Sequence, residues 1–182
     1  MSEEIKNNEV EDVQAQGEES SKLAQANSKV TRYVLWSMGA GVIPVPIVDM
    51  MAITGVQLKM ISEITAVYEV PFSENMAKSY ITALIGSVLP GSLAASGFGS
   101  LIKAIPGIGS FSGAVSQSLL AGAITFAIGK VFAAHFEMGG NLLNFNVDKS
   151  KTIFKEQFEK GKEAVKKMTA GKKDKAEAKQ EK

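Results

Sequence analysis

The chain has 182 residues, with 20 basic and 19 acidic side chains and a formal net charge of +1, so it offers no bulk attraction to nucleic acid. Its length suits one domain with flanking tails and is short for two ordinary domains. With no cysteine there is no disulfide framework, no thiolate nucleophile and no cysteine metal site.

Met1 to Ser21 is acidic and polar and lacks the basic-then-apolar pattern of a secretory signal, so no export is expected. Residues 1–25 hold too few apolar side chains to offset the entropy of ordering, and they read as a disordered acidic tail. Apolar spacing through Val30, Tyr33 and Val34 predicts a first helix over Leu23–Met38, ended by Gly39 and Gly41. Pro44 and Pro46 then bias their predecessors away from helix and predict an extended elbow, with a new helix starting at Pro46. Asp49 falls in that helix's first turn, where a carboxylate complements the helix dipole. Met50, Ile53, Met60, Ile61, Ile64 and Val67 recur at helical spacing, interrupted by Gln57, Lys59 and Glu63, which predicts an amphipathic helix to about Glu69. Pro71 stops it, and Ser73 with Glu74 marks the start of another.

From Ser79 to Gly129 the chain carries one charged side chain, Lys103. That is more than twice the roughly 20 apolar residues of a spanning helix, so a hydrophobic helical hairpin is expected, broken at Pro90-Gly91 and at Pro106-Gly107. Windows at Ile81–Leu101 and Ala114–Ala134 are borderline for spanning, because Gly, Ser and Ala dilute the larger side chains. Lys130 lies inside the second arm and favours a span that ends at or just before it. Gly109 and Gly113 are four apart, and with Gly122 they mark a small-residue face on which helix backbones approach closely. Gly139-Gly140 ends the arm, and a last helix over Asp148–Met168 puts Phe154, Phe158, Val165 and Met168 opposite many lysines, suited to docking on this protein or on anionic lipid. Residues 169–182 read as a disordered lysine-rich tail.

Motifs for chemistry fail on inspection. Gly129-Lys130 is followed by Val131 and lacks Walker spacing, while Gly97-Phe98-Gly99 and Gly107-Ile108-Gly109 lack a third glycine and read as turns. The single histidine, His135, has neither cysteine nor a second histidine to complete a zinc site, and suits the negative pole of a helix end. Asp49 and Glu63 lie fourteen apart on one helix face and read either as a buried polar or partner contact or as a solvated face. Met50, Met51 and Met60 read as adaptable packing. No catalytic, cofactor or metal residue is assigned.

The run Gly41-Val42-Ile43-Pro44-Val45-Pro46-Ile47-Val48-Asp49, then Gln57, Met60 and Tyr68, then Ile105-Pro106-Gly107-Ile108-Gly109 and Thr125-Phe126-Ala127-Ile128-Gly129, resembles the family called domain of unknown function number 697. The resemblance covers about Val30 to Phe136 and implies a helical module like that of YcjF-like inner-membrane proteins, also appended to small Era-like GTPases. It supplies no reaction. This chain has no GTPase domain, so an associated GTPase would be a separate chain, and Glu69 stands where a glycine is expected after the tyrosine.

The expectation is an all-α helical bundle: a tail over 1–25, a helical membrane-associated domain over 26–140, an amphipathic basic helix over 141–168 and a tail over 169–182. Pro44, Pro46, Asp49, Gln57 and Tyr68 are candidate structural or partner-binding residues, with Gly109, Gly113 and Gly122 as packing glycines. Membrane lipid, further copies of the chain and a separate GTPase are the expected partners, nucleic acid is not, and a bacterial inner membrane with cytoplasmic termini is the expected location. The function expected is that of a non-enzymatic scaffold or accessory factor. A soluble self-associating adaptor and a pore-forming or membrane-remodelling protein are the alternatives.

Overall fold

The computed structural model describes the backbone of residues 21–38, 46–88 and 113–180, and the side chains of 21–38, 54–88 and 118–170. Among these residues there are five α-helices and no strands: α1 over 21–38, α2 over Pro46–Val67, α3 over Glu74–Val88, α4 over Gly113–Glu137 and α5 over Val147–Gln180. A short 3-10 turn, Leu142–Asn144, joins the last two.

The ends of these helices follow local chemistry. Proline occupies the first position of α2, where its missing N–H is no loss. Ser73 precedes α3, with its carbonyl accepting from Ala77 N–H at 3.0 Å and Glu74 in the first turn. Asn146 caps α5, its Oδ1 accepting from Lys149 N–H at 3.0 Å. Two helices finish in the same hydrogen-bond pattern. At the end of α2, Val70 N–H reaches Thr65 O at 2.9 Å and Glu69 N–H reaches Ala66 O at 3.4 Å; at the end of α4, Gly140 N–H reaches His135 O and Gly139 N–H reaches Phe136 O, both at 2.9 Å. Both are Schellman caps, which need a left-handed residue just past the helix. Gly139 supplies it at φ 76° and Glu69 at φ 57°.

Helix α4 is the centre of the bundle. It packs most extensively on α5 and also contacts α2 and α3. Helix α1 covers a further side: a Cβ added at Gly129 would lie 2.6 Å from Val30 Cγ2, and one at Gly122 would lie 2.8 Å from Met38 Cγ and 3.0 Å from Val165 Cγ2. Ile124, Ala127, Ile128, Val131, Phe132 and Phe136 are all buried, each large apolar side chain contributing roughly 1.5–3 kcal/mol. Contact partners fix the directions: α2 runs parallel to α4, from Gln57 beside Thr125 to Tyr68 beside Glu137, while α1 and α5 run antiparallel to it.

The segment Ser118–Glu137 is long and apolar enough to cross a membrane, and 72% of its most apolar window is buried inside the bundle. The helix continues past Lys130, whose ammonium donates to Asn27 Oδ1 at 2.5 Å and lies over the Phe126 ring, so α1 supplies the partner that an aqueous interface would otherwise have to supply. Of the hairpin's other arm, α3 is described to Val88; it buries Ala77, Ile81, Leu84 and Ile85 and exposes its opposite face, and the window Ile81–Leu101 lies mostly outside the described residues.

The apolar face of α5 is taken by protein: Phe154, Phe158 and Val165 are buried, and a Cβ at Gly161 would lie 2.8 Å from Ala123 O. Docking on this protein is therefore the use that face finds. The tails begin elsewhere than the composition suggests. Residues 21–25 are already helical, since Lys22, Leu23, Ala24 and Gln25 are good helix formers leading into buried Ala26. Past residue 168, α5 runs on to Gln180 through a stretch dominated by Lys, Ala, Glu and Gln, whose propensity extends a helix that packing has already nucleated.

Candidate functional site

The polar side chains inside the bundle form a seam along α2. Nearest the middle is Gln57, fully buried, whose Nε2 donates to Thr125 Oγ1 on α4 at 3.3 Å while Oε1 has no partner among the described residues. An unpaired buried carbonyl costs about 1–3 kcal/mol, so this pair fixes the register of α2 on α4 at some expense in stability.

Two turns on, Glu63 collects three donors from α1. Tyr33 O–H donates to Oε1 at 2.6 Å, Lys29 donates to Oε2 at 3.1 Å, and Arg32 Nη2 donates to the same oxygen. Burial pushes the Glu63 carboxyl up, but the Tyr33 and Lys29 hydrogen bonds and the two cations outweigh it, holding it below the ordinary carboxylate value. Tyr33 is pushed up to about 12, first by burial and then by its bond to Glu63. Arg32 also lies over the Tyr33 ring, 5.2 Å from its centroid.

At the far end, Tyr68 O–H donates to Glu137 on α4, and burial followed by that carboxylate raises the phenol well above its usual range. Tyr68 therefore ties the two Schellman caps together as a neutral donor. His135 locks the α4–α5 connection: its Nε2 lies 2.9 Å from Asn141 O and 3.1 Å from Asn144 Oδ1, both acceptors, so Nε2 carries the hydrogen. Asn141 and Asn144 close a reciprocal capping box around the 3-10 turn. The ring also fills the space that a Cβ at Gly140 would need. Beside it Phe132, Phe145 and Tyr80 stack in sequence, with Phe132 and Phe145 4.6 Å apart and Tyr80 O–H donating to Leu142 O at 2.9 Å.

Every titratable group in this seam is committed to a helix–helix or turn contact. Among the described residues no three His, Asp or Glu side chains gather as a metal site. The arrangement suits holding helices in register.

Of the residues singled out in the sequence, Gln57, Tyr68 and Gly122 fall on contacts between α2 and α4 or on the α1–α4–α5 crossing. Pro46 opens α2, Asp49 lies in its first turn and Gly113 opens α4, their side-chain surroundings being outside the described residues. Pro44 and Gly109 lie outside the described residues altogether. Sequence reasoning did not foresee the Lys29–Arg32–Tyr33 cluster, Thr125, Gly129 or Gly161 as contact residues. The spacing of Lys29, Arg32 and Tyr33 on one helix face was a usable signal; the identity of their partner, 30 to 34 residues away, was not.

The model of the family described as Domain of unknown function (DUF697) matches residues 5–163. A protein of Magnetospirillum gryphiswaldense named magnetosome membrane protein 22 is 40% identical over 147 residues, which cover 81% of this chain and 75% of that protein. No solved structure matches the chain.

Proposed function

This chain belongs to the DUF697 family, and on that premise we propose that it is a non-enzymatic, membrane-associated helical module that acts as a scaffold or accessory factor. The observation that carries the membrane part is its 40% identity to a protein named for a membrane, together with the apolar helix Ser118–Glu137. The commitment of Glu63, Tyr68 and His135 to packing supports a non-catalytic role. The partner proposed is a small GTPase, on the strength of the family resemblance, which implies modules of this kind appended to small Era-like GTPases. The location proposed is a bacterial inner membrane, with both termini in the cytoplasm.

Flotation of lysate from cells expressing the full chain tests the membrane reading. The chain is expected to rise with the membranes; recovery wholly in the dense soluble fraction contradicts it. Recovery of a GTPase with the detergent-solubilised chain, sensitive to added nucleotide, tests the partner.

A second reading, a soluble self-associating adaptor, draws on one observation: α4 is largely covered by its own chain. Light scattering on protein purified without detergent separates the two readings. A monodisperse oligomer that ignores vesicles favours the second.

A further inference from the structure

The outer surface of α1 and α2 is short of acids. Over residues 21–38, α1 has three charged side chains, Lys22, Lys29 and Arg32, all cationic; over 54–67, α2 adds Lys59 and Glu63. The bonds of Glu63 to Lys29, Arg32 and Tyr33 lay the two helices side by side, and since α2 runs with α4 and α1 runs against it, they are antiparallel. Lys59 stands one turn before Glu63 on α2, and Trp36 stands one turn after Arg32 on α1. The exposed lysine is therefore level with the exposed indole, each about 6 Å along its helix from the carboxylate cluster. Met38, two residues on from Trp36, packs at Ser118 and Gly122, well inside α4, so Trp36 lies on the flank of the bundle, 59% exposed.

This flank is braced from behind. The indole meets Tyr33 edge-on at 5.6 Å, Tyr33 donates to Glu63, and Arg32 lies over the Tyr33 ring. Glu63 is committed to its three donors, and Lys29, Arg32 and Lys59 outnumber it by two charges around Trp36; further along the same helices, exposed Glu69 is balanced in number by Lys22. Other surfaces lack the combination. The exposed face of α5 interleaves its lysines with Asp148, Glu156, Glu159 and Glu163. Met138 and Leu143 are more exposed than Trp36, but they belong to a stretch, residues 136–147, with one acid and no cation, and its turn leans on α3 through Tyr80 and Leu142.

We propose that the bundle lies sideways on an anionic phospholipid surface, through the α1–α2 flank around Trp36, a proposal that rests on the membrane-associated reading above. The amphipathic indole sits at headgroup level, where tryptophan is enriched at membrane interfaces. Lys29, Arg32 and Lys59 face the lipid phosphates around it, and the turn bearing Leu143 stays in water. An acidic protein surface would meet the same cations; the exposed indole favours lipid.

Trp36 is the single tryptophan, so the unmodified full chain reports on its own docking. Vesicles of phosphatidylglycerol and phosphatidylcholine in equal parts, with and without brominated acyl chains, are added, and bound protein is isolated by flotation. The expected result is a blue-shifted Trp36 emission quenched by the brominated chains, with binding weaker on pure phosphatidylcholine and in added salt. Lys59→Gln, which leaves the hydrogen bonds of Glu63 in place, is expected to weaken vesicle binding about three- to tenfold with an unchanged urea midpoint; unchanged binding contradicts the flank. A Trp36→Phe, Leu143→Trp chain moves the reporter to the α4–α5 turn, at a residue 84% exposed, where emission is expected to stay unquenched. Floated protein with an unquenched Trp36, or equal quenching at positions 36 and 143, overturns the sideways docking and leaves membrane association standing. A Trp36 emission that shifts with soluble polyglutamate and not with vesicles assigns the flank to an acidic protein and overturns the lipid partner. Absence of vesicle flotation, with the chain also missing from cell membranes, overturns the membrane reading itself.

Discussion

Glu69 and Gly139 occupy equivalent places in two Schellman caps, at φ 57° and 76°. A side chain with a Cβ in the left-handed region costs roughly 1–2 kcal/mol, which glycine avoids. Glu69→Gly is therefore expected to stabilise the protein by about 1 kcal/mol, read as a higher urea midpoint with unchanged slope; an unchanged midpoint contradicts this. The family resemblance implies a glycine after Tyr68, where this chain has Glu69, and the backbone supplies the reason. Glu63 makes a second prediction. Its folded carboxyl lies below the ordinary value of about 4.3, so its contribution is fully present above that pH and is lost as the pH falls through the folded value. Glu63→Gln keeps an acceptor for Tyr33 but loses the charge seen by Lys29 and Arg32. It is expected to cost about 1 kcal/mol at pH 7, with the gap to the parent constant down to about pH 5 and closing below pH 4. Denaturant melts of both chains across that range check the sign; a gap that widens in acid contradicts it.

At the scale of the helices, α4 is close-packed because Gly122 and Gly129 present bare backbone to α1, and Gly161 of α5 presents bare backbone to α4. Gly129→Ala would press on Val30 and is expected to destabilise by about 1–3 kcal/mol, with Val30→Ala in the same chain recovering part of the loss. Strictly additive costs in that double-mutant cycle contradict a direct α1–α4 contact. Helix positions were legible because Pro46, Pro71, Ser73 and Gly139-Gly140 are local signals that act on their own neighbours. Packing partners were less so. Gly129 carried no more local signal than Gly113, and only the position of Val30 makes it a contact; the two uses of the α5 face, protein or lipid, differ in sequence by nothing until Phe154 and Phe158 are found buried and Gly161 is found against Ala123. The helical reach of α5 past residue 168 was missed because a lack of apolar side chains was read as disorder, when Ala, Lys and Glu sustain a helix by propensity.

At the scale of the whole molecule, the uncharged stretch from Ser79 to Gly129 suggests a membrane hairpin, yet its second arm forms the centre of a bundle whose own helices cover it. Membrane association then falls to the rest of the molecule. The polar seam of Gln57, Glu63 and Tyr68 resists opening of that core, since separating α2 from its neighbours would strand Tyr33, Tyr68 and Thr125 without partners. The chain has no native cysteine, so a designed pair can report on the core in place. A Cβ at Gly129 would lie 2.6 Å from Val30 Cγ2, close enough for the short Cβ–Cβ separation of a disulfide once Val30 is also cysteine. The deciding measurement is oxidation of the Val30→Cys, Gly129→Cys chain in floated membranes, followed on a non-reducing gel. An intact bundle resting on the membrane predicts a disulfide in the membrane-bound chain as complete as in free protein. A membrane-bound chain that stays reduced while free protein oxidises would mean that α4 leaves α1 for lipid, and would contradict it.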